Sequence, residues 1–410
     1  KHFSRYTFEK ASAITGMPVA DIKKAAELFS SITPTVMMYA LGMTQHTIGV
    51  ENIRCFTIIQ LLMGNIGVSG GGIDALRGQP NVQSSTDYGI MFQYYPAYLS
   101  YPTHADDTLA KWTHHNGTFR AKFLKNLLKA WFGDAANAGN DYLFNALPIR
   151  NGTHNDSLYV MFEKAIEGKM KCIYVCGQNP QMTNANLTIV NKGLKNLNTL
   201  LERCGTMTNS MRMIQWRMKG PDPTNDSRPD YWICDKLWKR IVELYKDSTD
   251  PKDNTIKLLT WNYGDPEANG EAYVENIMKE CNGYDLKDGH LLRGIREIRD
   301  DGTTMAGMWI FTGVYGDGVH MAKRRGQEDN GNMGIYPNYA WVWPDNIHML
   351  YNRASCDENG KPTRPDQALV WWDEAKGMWD GYDVPDVGDR TQGPNTPGGQ
   401  KPFRMNGEGI

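Results

Sequence analysis

Thr35-Val-Met-Met-Tyr-Ala-Leu41 is a short apolar run, followed by Gly42-Met-Thr-Gln-His-Thr-Ile-Gly49 and then by an apolar helical stretch from about Asn52 to Met63. The same order of strand, glycine, polar loop and helix recurs at Lys171-Cys-Ile-Tyr-Val-Cys176, Gly177-Gln-Asn-Pro-Gln-Met-Thr183 and a helix from about Asn184 to Leu197. Two such units predict an α/β fold of open, Rossmann-like sheets flanked by helices, whose ligands gather at the carboxyl ends of the strands. Helix starts at those ends favour phosphate through free N–H groups and the macrodipole. Met37, Met38 and Tyr39 read as a buried strand. Gln45-His46 falls at a strand end and has two readings, a ligand-facing pair or a pair capping loop amides.

Outward from these units, Ser4 to Ser31 reads as two helices. Pro18 starts the second, and Ile22, Ala25, Ala26 and Phe29 form its inner stripe. Further helices are expected over Phe119–Phe132, Ser157–Glu167, Ile233–Lys246 and Glu271–Cys281. The rest of 85–155 shows no clear period. From about Thr206 the text turns rich in Gly, Pro, Asp and Trp, and Arg390 to Ile410 reads as an extended tail. The length of 410 residues suggests two or three domains. The expected division is 1–78, 79–205 and 206–410, the last an irregular Trp/Gly-rich extension.

A formal net charge of −2 argues against nucleic acid as a main partner. Phe56 to Val68 comes nearest to a membrane span, but it is short and carries Gln60, Gly64, Asn65 and Gly67. The opening Lys1-His-Phe-Ser-Arg-Tyr reads as the inside of a longer polypeptide. The seven cysteines, at 55, 172, 176, 204, 234, 281 and 356, are scattered and odd in number, unlike a disulfide framework. Cys172 and Cys176 lie within an apolar run and do not suit a metal knuckle. The cysteines read as structural thiols, with no iron–sulfur ligand set among them.

Hydrolytic and nucleotide-hydrolysing motifs are missing. Asp106-Asp107 and Asp300-Asp301 are adjacent carboxylates in loop text, a poor arrangement for acid/base work. His104, His114 and His115 read as surface histidines in preference to metal ligands. Gly313-Val-Tyr-Gly-Asp-Gly318 reads as a turn between strands. The strongest candidate for chemistry is Gly70-Gly-Gly-Ile-Asp-Ala-Leu-Arg-Gly-Gln-Pro-Asn-Val-Gln83, where glycines allow close backbone approach around one cation, Arg77. A guanidinium is a planar fork suited to a carboxylate or phosphate.

Tyr39 to His46, Asn52-Ile-Arg54, Gly70 to Gln83, Tyr174-Val-Cys-Gly-Gln-Asn-Pro180, Trp261-Asn-Tyr263, Arg299-Asp-Asp-Gly-Thr-Thr304 and Tyr351-Asn-Arg-Ala-Ser355 together resemble the large subunit of molybdenum- or tungsten-dependent formate dehydrogenases, in the molybdopterin oxidoreductase family. The order is similar to that of the nitrate-inducible, membrane-linked class and of enzymes from sulfate reducers. Arg77 with Gln79, Asn81 and Gln83 is the most specific motif.

The resemblance implies a metal held by two molybdopterin guanine dinucleotides and formate oxidised to carbon dioxide. It implies that Arg77 orients formate and that Gly42, Thr44, Gln45, Gly78 and Gln79 contact the cofactor. Gly177, Asn179 and Thr183 would hold a guanosine part. The metal-ligating cysteine or selenocysteine, the four cysteines of a [4Fe-4S] cluster and a C-terminal cap domain are implied to lie outside this segment, with a further stretch skipped between Leu201 and Gly205. The implied partners are an iron–sulfur electron-transfer subunit and a membrane cytochrome subunit or cytochrome c. The implied location is the periplasm, in anaerobic respiration. The alternatives are another molybdopterin oxidoreductase of nitrate or polysulfide type, a cofactor-free scaffold subunit of the same fold, and a generic nucleotide-binding α/β protein.

Overall fold

A computed structural model describes residues 3–76, 82–90, 94–149, 157–175, 179–184, 186–195, 199–201, 207–208, 213–216, 228–316, 318, 320–323, 340–341, 355–357 and 359–381. The chain divides into two compact units. One is Lys1–Gln79 with the later segments Gln327–Pro337 and His348–Ile410; the other is Pro80–Gly326 with Asn338–Ile347.

In the first unit, helices α1 (Phe8–Thr15) and α2 (Val19–Ser31) precede strand β1 (Val36–Tyr39). A single helical turn, α3 (Leu41–Thr44), leads to α4 (Gly49–Leu62), and the chain returns as strand β2 (Gly72–Ala75). β1 and β2 run parallel, with Val36 opposite Gly72 and Tyr39 opposite Ala75. The expected strand–loop–helix is therefore completed into a βαβ crossover. Its amino end is tied by Gln60, which is fully buried. The Gln60 amide nitrogen donates to Thr35 O at 2.8 Å and to Gly72 O, carbonyls that flank the two strands. Asn65 in turn donates to Gln60 Oε1 at 2.7 Å and to Thr35 Oγ1 at 2.9 Å. A second element here is the hairpin of Val370–Asp373 with Met378–Gly381, closed over Trp379 and Cys356.

Two expectations fail in this unit. β1 is not a buried strand: Val36 and Met38 are exposed, because among the described residues the sheet has two strands and nothing covers that face. The stripe on α2 is not buried either. Ile22 and Phe29 are half-covered, while Ala25 and Ala26 are exposed.

The second unit holds the main core. Helix α5 (Val82–Asp87) and strands β3 (Tyr94–Tyr95) and β4 (Leu99–Ser100) lead to α6 (Leu109–Asn116) and α7 (Thr118–Phe132). Gly117, at φ +89°, allows the sharp turn between these helices. Phe123, Leu124, Leu127, Leu128 and Phe132 of α7 are all within 2% of full burial, and Trp112 packs beside them. Each such side chain contributes about 1.5–3 kcal/mol of burial. Leu292, Ile298 and Ala306 join the same core. Asn126, also buried, fastens α7 to them by donating to Arg299 O at 2.7 Å and accepting from Thr304 Oγ1 at 2.7 Å.

The second βαβ unit follows. α8 (Leu158–Ile166) precedes β5 (Cys172–Tyr174), and α9 (Pro180–Thr183) and α10 (Leu187–Lys195) lead to β6 (Thr199–Leu201), parallel to β5. Phe162, Ile173, Val175 and Val190 form its small core. The helix expected from about Asn184 is α10, which starts at Leu187 just after Asn186 at φ +54°, and the expected polar loop before it carries the single turn α9. β7 (Met207–Thr208) and β8 (Met213–Gln215) follow. α11 (Asp230–Tyr245), α12 (Asn254–Leu258), α13 (Gly270–Asn282), β9 (Tyr284–Asp285), β10 (Thr304–Met305) and β11 (Ala340–Trp341) complete the unit. The Gly313–Gly318 turn joins two 3-10 helices, Trp309–Phe311 and Met321–Lys323, not two strands. Residues 202–206 and 390–410 lie outside the described residues. The fold is α/β as expected, with small sheets in place of broad open ones. Among the described residues no helix is long and apolar enough to cross a membrane.

Candidate functional site

The carboxyl ends of β1 and β2 lie side by side, since Tyr39 pairs with Ala75 and Leu76 N donates to Tyr39 O at 2.8 Å. Immediately beyond β1, Gly42, Thr44 and Gln45 lie on α3 and at its end, all exposed. Gln45 closes α3 through its backbone, N–H to Leu41 O at 2.9 Å. Among the described residues neither Thr44 nor Gln45 commits its side chain to a hydrogen bond, so the capping reading of the Gln45 side chain fails. Gly49 begins α4 and is buried against the preceding turn: a Cβ there would lie 2.4 Å from Thr44 O. A glycine is thus required for α4 to start so close to Thr44. α4, a 14-residue helix, has no side-chain cap, and its Gly49 amide donates to His46 O at 2.9 Å.

Beyond β2 the chain continues into Arg77, Gly78 and Gln79, which lie outside the described residues, as does Asn81. Gln83, the last member of that motif, is described and is committed to structure. Its amide donates to Asp87 Oδ1 at 3.0 Å and to Tyr98 Oη at 2.8 Å, and Tyr98 Oη donates to the same Asp87 Oδ1 at 2.6 Å.

Beyond β5, Gly177 lies outside the described residues, while Asn179 and Thr183 bracket α9 and are exposed. Thr183 donates its hydroxyl to Asn179 O at 2.7 Å, closing the turn on itself. The Asn179 side chain makes no hydrogen bond among the described residues. The sequence thus places its candidate residues at the carboxyl ends of two βαβ units, the position at which α/β sheets bind ligands. Gly42, Thr44 and Gln45 belong to one compact unit, and Asn179 and Thr183 to the other.

The other candidates resolve into structural roles. Asp106 is buried and accepts from Thr103 N at 2.9 Å and from Thr103 Oγ1 at 2.7 Å, with His115 Nδ1 2.5 Å from its other oxygen. Burial opposes its ionisation, but these hydrogen bonds outweigh it and hold the carboxyl below its usual range. Asp300 pairs with Lys125 at 2.8 Å and Asp301 caps a turn at Thr303. Asp285, Asp288 and His290 are the only group of described residues with metal-ligand spacing. Asp285 is held by Arg299 at 2.6 Å and His290 by Asp288 at 2.6 Å, which is a salt-bridged turn. Cys55, Cys172, Cys234, Cys281 and Cys356 are free thiols.

Sequence reading missed two titratable groups in the second unit, a half-buried glutamate and a buried histidine. Glu280 accepts from Tyr263 Oη at 2.8 Å, and burial pushes its carboxyl up to about 7. His320 is buried between Trp216 and Tyr315, its ring nitrogens unpartnered, and burial drives its pKa down to about 4. A lone Glu in an amphipathic helix and a lone His after a glycine turn give no spacing signal that could have found them.

No family model matches the chain. It is 34% identical over 404 residues to formate dehydrogenase 2 subunit alpha (cytochrome c-553) of Nitratidesulfovibrio vulgaris, an alignment covering 83% of this chain and 39% of that protein. It is 32% identical over 479 residues to the nitrate-inducible formate dehydrogenase major subunit of Escherichia coli, covering 100% of this chain and 46% of that protein. It is 32% identical over 411 residues to formate dehydrogenase subunit alpha of Megalodesulfovibrio gigas, covering 83% of this chain and 40% of that protein. The chain spans less than half the length of each of these relatives. Over that span it belongs to the family of formate dehydrogenase alpha and major subunits.

Proposed function

We propose that the chain is part of the catalytic subunit of a formate dehydrogenase, an oxidoreductase interconverting formate and carbon dioxide at a molybdenum or tungsten centre. The observation that carries this reading is the similarity to formate dehydrogenase major and alpha subunits over 83–100% of the chain. The donor set at the strand ends fits the implied dinucleotide ligand. Thr44 offers a hydroxyl, and Gln45 and Asn179 offer amides. Gly42, Thr44, Gln45, Gly78 and Gln79 would hold one part of a bis-molybdopterin guanine dinucleotide, and Gly177, Asn179 and Thr183 a guanosine. When bound, that group supplies the two-electron redox chemistry.

The protein supplies orientation and charge. Arg77 would receive the formate carboxylate, for which a guanidinium can supply two parallel charge-assisted hydrogen bonds, and so would orient the substrate. The fixed guanidinium also offsets the negative charge of substrate and ligands. The partners that would take up the electrons are an iron–sulfur electron-transfer subunit and a membrane cytochrome subunit or a cytochrome c, in the periplasm. Residues 1–78 form the second half of one pterin-binding domain, 79–205 a second such domain, and 206–410 an extension toward a cap domain. The uncovered face of β1 supports the half-domain assignment, because an apolar sheet face calls for a covering layer.

Metal analysis of the native protein by mass spectrometry, with intact mass, tests the reading. Molybdenum or tungsten near one per chain, with a mass well above that of 410 residues, supports it. A metal-free native protein with undetectable formate oxidation would overturn it and leave a scaffold of the same fold.

A further inference from the structure

Five aromatic rings lie in series in the second unit. Trp238 of α11 stacks on Trp261 with centroids 5.8 Å apart and planes 30° apart. Trp261 meets Tyr263 edge-on at 5.5 Å, Tyr263 meets Tyr273 at 5.7 Å, and Tyr273 stacks on Tyr231 at 5.7 Å. Trp238 is half-exposed, whereas Tyr273 is buried. Every ring is within 6 Å of the next, a spacing at which electron exchange between π-systems is direct.

The polar groups along this series are not equivalent. Asp235 is buried, and its Oδ1 accepts from Trp261 Nε1 at 3.0 Å and from Tyr273 Oη at 3.0 Å, while its Oδ2 pairs with Lys239 at 2.9 Å. Burial opposes its charge, but the hydrogen bonds from Lys239, Tyr273 and Trp261 prevail and hold the carboxyl below its usual range. Asp235 is therefore a fixed anion and a poor proton acceptor, placed where it stabilises positive charge on the Trp261 indole. Glu280 is the opposite: it accepts from the Tyr263 phenol at 2.8 Å, pairs with no cation among the described residues, and binds a proton readily. Such an acceptor is what a phenol needs on losing an electron, because an oxidised phenol is a very strong acid.

We propose that Trp238, Trp261 and Tyr263 form a one-electron relay, with Tyr263 and Glu280 as its proton-coupled terminus. A strong one-electron oxidant in solution, of the class of hydroxyl radical or a photogenerated metal(III) complex, takes an electron from Trp238. Trp261 refills Trp238, leaving an indole radical cation beside Asp235. Tyr263 refills Trp261, and in the same step its phenolic proton passes to the Glu280 carboxylate. One electron has left the protein, one O–H bond has moved from Tyr263 to Glu280, and the products are a neutral phenoxyl radical and a neutral carboxylic acid. The relay would draw oxidising damage to one reducible site. It stands on ring and hydrogen-bond geometry and does not depend on the formate reading.

Flash-quench oxidation of the purified full-length protein with photogenerated tris(bipyridine)ruthenium(III), followed by transient absorption and electron paramagnetic resonance, tests this. The expected result is a tyrosyl radical whose signal is mostly lost in Tyr263→Phe, with an indole radical persisting in its place. Glu280→Gln, which keeps the hydrogen-bond acceptor but not the base, should suppress the tyrosyl yield while circular dichroism and melting temperature show an intact fold. Trp261→Phe should slow radical arrival at Tyr263. Undiminished tyrosyl yield in both Tyr263→Phe and Glu280→Gln would overturn the proposal.

Discussion

At the scale of single residues, half-buried Glu280 and buried His320 give opposite pH signatures. Glu280 rises from an ordinary 4.5 to about 7 on folding, so the folded state binds more protons than the unfolded state across that window. Its stability is highest below the lower value and declines as pH climbs through the upper one, by about 3 kcal/mol at most. Glu280→Gln should remove this decline. Melting temperatures below pH about 5 and above pH about 8 should diverge in the parent protein more than in the variant, and an unchanged difference would refute the burial account. His320 falls from 6.5 to about 4, so it stabilises the fold above the higher value and loses that contribution as pH drops toward the lower.

Arg77→Lys belongs at this scale also. In the native enzyme it should retain metal but reduce formate turnover roughly a hundredfold, since lysine lacks the two-pronged donor. Normal turnover would remove the assigned role. What was legible in the sequence was position: Thr44, Gln45 and Asn179 do follow strand ends. Not legible were the roles of Gln83 and Gln60, which depend on partners 15 and 25 residues away in the chain.

At the scale of elements, the crossover β1–α4–β2 depends on two close approaches. Gly49→Ala puts a methyl 2.4 Å from the Thr44 carbonyl, so the backbone of α3 or the start of α4 must shift. The expected cost is about 1–3 kcal/mol, but the sharper expectation is displacement of Thr44 and Gln45. Nucleotide or cofactor retention should fall further than melting temperature. Equal retention in the variant would show that the α3 turn contributes nothing to the site. Gln60→Leu removes the clamp at the other end of the strands. The carbonyls of Thr35 and Gly72 lose their donor, at roughly 1–3 kcal/mol each, which denaturant unfolding can read.

Long elements were legible because burial imposes a period. α7 shows an apolar face over 15 residues and was found within one residue of its start. The eight-residue α6 and six-residue α5 were missed, since so few turns hold too few repeats to reveal a period. The 3-10 stretch Ala138–Ala146 was missed for another reason: Asp141, Tyr142 and Leu143 take positive φ, which no side-chain pattern announces.

At the scale of the whole molecule, the two units bury their apolar residues very differently. α1 and α2 have no fully buried residue, and α4 leaves Leu61 at 60% and Leu62 at 80% exposure, beside Val50 at 67%. α7, by contrast, buries nine residues. Large apolar side chains left this exposed along several helices of one unit point to an interface rather than a finished exterior. The chain also spans less than half of its relatives, and on the proposed reading polypeptide of the same subunit covers this face. If so, the 410-residue chain produced alone should bind a hydrophobic dye strongly. Limited proteolysis should cut first within residues 8–62 and leave α6, α7 and α13 protected, because local opening is easiest where few apolar contacts hold an element down. In the native enzyme the same bonds should resist cleavage. Equal susceptibility of residues 8–62 in both forms would mean that this face is not covered in the native subunit, and the half-domain assignment would fall with it.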